Sequence, residues 1–239
     1  MAYGESIAFP LVADSAAAAG VDERARFISR TYLHLFGAIL AFVGLEWFLL
    51  NLSGIENLAV KMVSGYNWLI VLGAFILVSH VANRWAHSDT SVGVQYVGLG
   101  LYVVVEAVIF LPLLLIASVY YDGVIGSAAV LTLGVFTGLT GVVFVTRRNF
   151  SFLGPALSIG ALVALGLIVC AVLIGFNLGI IFTAAMIALA SGYILYSTSN
   201  ILHEYRVDQH VAASLALFAA VALLFWYILQ LVMSLTNRD

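Results

Sequence analysis

Apolar runs of about twenty residues recur seven times along the chain, and that pattern leaves few folds open. They cover approximately 31–52, 66–83, 91–117, 124–145, 155–175, 178–202 and 211–235, with short polar breaks between them. A run of that length crosses the hydrocarbon core of a bilayer as a helix. Barrel strands would instead alternate apolar and polar positions over about ten residues. Composition agrees: 64% of residues are hydrophobic and 9% charged, against roughly 45–50% and about 25% in a soluble domain. Twenty-one charged side chains cannot cover the surface of 239 residues, so the apolar excess faces lipid. The expected fold is all-α: a polytopic bundle of seven transmembrane helices.

Orientation follows from lysine and arginine, which favour cytoplasmic loops. With seven crossings, Arg24, Arg26, Arg30, Arg84, Arg147, Arg148 and Arg206 share one side, and only Lys61 and Arg238 lie on the other. The N-terminus is therefore expected in the cytoplasm and the C-terminus outside. Residues 1–27 read as a flexible cytoplasmic tail, and 28–239 as a single seven-helix transmembrane domain. The tail is no signal peptide: its first basic residue is Arg24, and Ala16 to Ala19 is too short an apolar run. Nine basic against twelve acidic residues leave no field for nucleic acid.

Two acids fall inside predicted spans, Glu46 in the first and Glu106 in the third. A charge at the bilayer centre costs roughly 2.5–3.5 kcal/mol on insertion scales, so such residues face the bundle interior or water. They read either as a proton-titratable pair or cation site, or as two acids that hydrogen-bond neighbouring helices. Pro112, six residues beyond Glu106, is expected to kink the third span. Arg84 is a candidate cytoplasmic-end partner for Glu106, with interfacial anchoring as the plainer alternative. Among the histidines, His80 is expected to hydrogen-bond a neighbour, and the segment His203 to His210 to be solvated surface. Cys170 stands alone, so no metal site and no cofactor are expected. Gly134 and Gly138, four apart, make one helix face smooth enough for close packing.

Enzymatic membrane classes fail on missing residues. The only lysine is Lys61, in a loop, which excludes a retinal Schiff base in the last span. The spans hold no aspartate for an aspartyl protease, and no Gly-x-Ser-Gly occurs for a rhomboid-type serine protease. A solute transporter, with a site between broken helices near the midplane, stays open but no substrate is indicated.

Val135 to Thr140, Ser151 to Gly154, Ser191 to Leu202 and the ending Thr236-Asn237-Arg238-Asp239 carry a family likeness. Together they resemble the Bax inhibitor-1 family of seven-helix proteins, and most closely its bacterial YccA branch, from about Arg30 to the C-terminus. That resemblance implies a bundle whose last helix is surrounded by the others. It also implies, for some members, a pH-dependent calcium leak in which an aspartate of the sixth helix pairs with one of the last. The matching positions here are Ser197 and Ala220, and neither can titrate. Any proton or calcium response would need other groups. For the YccA branch the resemblance implies a bacterial inner-membrane protein without catalysis of its own. Such a protein associates with the membrane AAA protease FtsH and restrains it as a poor substrate. Glu106 is expected to lie further from the cytoplasmic end than Ser197, and so not to replace the pair directly.

Overall fold

The computed structural model describes residues 15–88 and 91–236. Its elements are α1 (Val21–Leu50), α2 (Ile55–Val63), α3 (Asn67–Ala86), α4 (Val92–Tyr120), α5 (Val124–Thr146), α6 (Leu153–Ile174), α7 (Gly179–His203) and α8 (His210–Thr236). All but α2 are long and apolar enough to cross a membrane, which gives the seven expected spans. The close α6–α7 boundary is a tight turn. Gly175 ends α6 at φ 83°, a left-handed conformation that glycine adopts without strain, and its amide donates to the Ala171 carbonyl at 2.9 Å.

α8 is the core of the bundle. Fifteen of its 27 residues are buried, against two of 22 in α6. It packs on α1, α3, α4, α5 and α7. A helix surrounded on all sides reads as apolar all round, and α8 does so from Leu215 to Leu229. α4 is the second most buried span and continues through Pro112. Rings lock these two elements to α1: Phe42 meets Phe110 edge-on at 5.1 Å and Phe218 at 6.0 Å.

Three features depart from the expected elements. The polar interval between the first two spans contains α2, whose Ile55, Ala59 and Met62 are buried beside Leu111 of α4. α1 begins at Val21, six residues before the expected start near Phe27. Ser15 forms an antiparallel bridge with Arg206, and the buried Ala16 donates its amide to the Tyr205 carbonyl at 2.8 Å. The chain from Ser15 onward is therefore anchored to the α7–α8 connection. Residues 1–14 of the expected tail lie outside the described residues.

Close helix contact occurs at a different glycine from the expected ones. A Cβ on Gly98 would lie 2.6 Å from the Ala82 carbonyl oxygen and 2.6 Å from the Ala86 amide, so α3 and α4 touch backbone to backbone there. Gly134 and Gly138 have no heavy atom within 4 Å of the equivalent position. Their smooth face is open.

Candidate functional site

A cleft of about 1160 Å³ runs between α3 and α4 on one side and α6 and α7 on the other, with α8 behind it. Its formation follows from the packing. α3 is held by α4 and α6 by α7, while α3 and α6 leave the space between them unfilled. On α8 the wall extends from Leu215 to Ser234, roughly 28 Å at 1.5 Å per residue. That is close to the ~30 Å of a hydrocarbon core. Leucine, isoleucine, alanine and aromatic side chains make up most of the wall.

The structure brings Glu106, Ser197 and Ala220 onto this one surface. Counted from the end of the bundle that carries the arginines, Ser197 is six residues into α7, Ala220 ten into α8 and Glu106 fourteen into α4. Their depths are thus roughly 9, 15 and 21 Å. Glu106 is deeper than Ser197, as the sequence indicates, yet it shares the cleft. Its side chain is buried, and the Tyr102 hydroxyl one turn earlier is its hydrogen-bonding neighbour. Among the described residues no lysine, arginine, histidine or aspartate lines the cleft.

The other candidates lie elsewhere. Glu46 is 4% exposed, and neither of its carboxylate oxygens has a hydrogen-bond partner among the described residues. It continues the buried α1 stripe of Leu35, Ala38 and Phe42 and is absent from the cleft wall. The two acids therefore occupy separate places. Arg84 is exposed at the arginine end, beside His80 and His87, and it too is absent from the wall. Anchoring, rather than pairing with Glu106, is what this position allows. His80 is also exposed. Among the described residues no three histidine, cysteine, aspartate or glutamate side chains gather to hold a metal.

Two polar clusters at the arginine end were not singled out in the sequence. In the first, the His34 Nδ1–H donates to the Arg30 carbonyl at 2.6 Å, which leaves Nε2 to accept from the Tyr96 hydroxyl at 2.8 Å. Nε2 of His210 reaches the same hydroxyl at 3.4 Å, so α1, α4 and α8 meet at one phenol. His210 is buried, and so is much of Tyr205, whose phenol burial and the nearby Tyr196 push up to about 12. The His203–His210 segment is thus partly interior, contrary to a solvated loop: Ser15 and Ala16 pair with Arg206 and Tyr205, and His210 packs on His34 and Tyr96.

In the second cluster the Phe150 amide donates to the Ser199 hydroxyl at 2.8 Å. The Ser151 hydroxyl reaches Asn200 Oδ1 at 3.1 Å and Glu204 Oε1 at 3.3 Å. These bonds dock the α5–α6 connection on the end of α7. They give a physical reason for Ser191–Asn200 and the Arg147–Gly154 loop to carry the likeness together.

Seven membrane-length helices, the last of them buried among the others, with a cleft on one side, define a polytopic membrane bundle. Residues 24–238 match the family described as inhibitor of apoptosis-promoting Bax1. The chain belongs to the Bax inhibitor-1 family. An uncharacterized protein of Neisseria meningitidis is 26% identical over 189 residues, covering 73% of this chain and 78% of its own. Bax inhibitor 1 of Schizosaccharomyces pombe is 36% identical over 118 residues, 48% of this chain and 44% of that protein. An uncharacterized protein of Pseudomonas aeruginosa is 32% identical over 109 residues, 45% and 49% of the two chains. No solved structure matches.

Proposed function

We propose that the chain is a non-enzymatic inner-membrane modulator of FtsH, a partner that the protease holds but degrades poorly. The observation that carries this reading is the anchorage that begins at Ser15. A protease drawing on residues 1–14 would pull at once on a strand bonded to Tyr205 and Arg206, followed directly by α1. Arg24 adds a further tie, its Nη2 donating to the Leu202 carbonyl at 3.2 Å. Such a grip resists extraction while keeping the protease engaged. The substituted positions Ser197 and Ala220 support a regulatory role over the family's aspartate-based leak, since neither residue can exchange a proton.

The test is co-purification from native membranes of the tagged chain, intact and lacking residues 1–14. FtsH enrichment that depends on those residues supports the reading. Enrichment no greater than in a control membrane-protein pull-down overturns it. The anchor makes a second prediction: Ala16→Glu cannot be buried against the Tyr205 strand, so the variant's half-life in cells should shorten several-fold in an FtsH-dependent manner.

A cation leak is the second reading, favoured by one observation: Glu106 shares a wall with Ser197 and Ala220. In liposomes, Glu106→Gln should then abolish calcium or proton flux and leave FtsH association intact.

A further inference from the structure

The cleft is mostly apolar, and among the described residues Glu106 is the one carboxylic acid on its wall, with no lysine, arginine or histidine there to meet it. We infer that it is a binding site for a lipophilic amine, a single alkyl chain ending in an ammonium group that pairs with Glu106. This site stands whether or not the protease association does.

Shape limits the occupant first. The cleft is elongated, roughly 28 Å along α8 for a volume of about 1160 Å³, a shape that an extended chain-like molecule can follow. Ala216, Ala219 and Ala220 on α8 keep its back wall shallow.

Charge limits it next. Glu106 stands near mid-length, so the apolar cleft on either side extends roughly 13–15 Å. That is about one leaflet of a ~30 Å core, the reach of a single alkyl chain. Within this wall a buried charge is costly unless it is paired, and an ammonium supplies the pair where the surroundings screen little. A divalent metal is a poor match, since calcium takes six to eight oxygen ligands and the cleft offers one acid. An ammonium needs fewer partners: the carboxylate, the Tyr102 hydroxyl and aromatic faces. Phe110 lies one turn beyond Glu106, and Trp68 and Trp226 stack at 6.2 Å on the same wall. Ligand sites are commonly lined this way, mostly apolar and aromatic with few convergent polar groups.

Those tryptophans supply the readout. The full chain, with Trp47→Phe and Trp85→Phe so that only Trp68 and Trp226 report, is placed in phosphatidylcholine nanodiscs. It is titrated with bromododecylamine and, separately, bromododecanol, each at matched membrane mole fraction. The charge-assisted contact predicts half-quenching by the amine at a concentration roughly tenfold lower than by the alcohol. Glu106→Gln should bring the two within about twofold by removing that contact. Ala161→Phe, on the half-buried α6 wall, should weaken both ligands by narrowing the cleft. Equal quenching by amine and alcohol in the parent protein overturns the inference. So does amine preference that survives in Glu106→Gln, or Ala161→Phe without effect on either ligand.

Discussion

Glu46 is the residue whose surroundings do least for it. Both carboxylate oxygens are buried without a hydrogen-bond partner among the described residues, and an unsatisfied buried polar group costs about 1–3 kcal/mol. Glu46→Met keeps a similar volume and removes the polar atoms. It should stabilise the fold by about that amount, read as a rise in the thermal unfolding midpoint in detergent. A fall would mean that the carboxyl serves a partner or a proton, and would make Glu46 a functional group. Glu106 differs in having the Tyr102 hydroxyl beside it and an open cleft before it. Sequence placed both acids in spans but could not separate them. Their depths are similar by counting, and which face each presents depends on tertiary neighbours that periodicity does not name. His210 shows the same limit. Its polar flanks read as a loop, whereas His34 of α1 and Tyr96 of α4, distant in sequence, pack against it.

At the scale of elements, a glycine lets α3 and α4 meet backbone to backbone, and a loop docks on the end of α7. A side chain at Gly98 would collide with the α3 backbone, which cannot yield as a flexible side chain does. Gly98→Ala should therefore destabilise by about 1–3 kcal/mol. Gly138→Ala, with open space at the equivalent position, should be neutral or stabilise by up to about 1 kcal/mol through helix propensity. Paired unfolding curves in the same detergent would separate the two. The Gly134–Gly138 spacing is a packing pattern, but spacing states only that a close approach is possible. Gly98 lies among Gly93, Gly100 and other small residues, where no local signal distinguishes the one that is used. The α2 helix was readable in hindsight: Ile55, Ala59 and Met62 recur at helical spacing within a segment otherwise polar. The α5–α6 connection yields a further test. Ser199→Ala removes the acceptor of the Phe150 amide and should cost about 1 kcal/mol. Trypsin should then cut faster after Arg147 or Arg148 in vesicles that expose this end.

The whole molecule is organised by burial: the most enclosed span is the last, and the arginines gather at one end. The seven spans were legible because lipid requires continuous apolar runs, a demand imposed by the solvent and met within each helix. The cleft was not legible, because it exists where α3 and α6 fail to meet, and a gap leaves no periodic trace in either helix. Orientation belongs to this scale, and the modulator reading depends on it, since FtsH must reach the N-terminal segment from the cytoplasm. In a Cys170→Ala background, which removes the single cysteine, Ser53→Cys marks the α1–α2 turn and His87→Cys the opposite end. Both positions are exposed. A membrane-impermeant maleimide applied to spheroplasts should label Ser53→Cys and leave His87→Cys unmodified until the membrane is broken. The seven-to-two arginine and lysine asymmetry predicts that order. The reverse order would place the anchored strand and residues 1–14 outside, beyond the protease, and the FtsH reading would fall with it. The cleft would be untouched, since its walls are the same in either orientation.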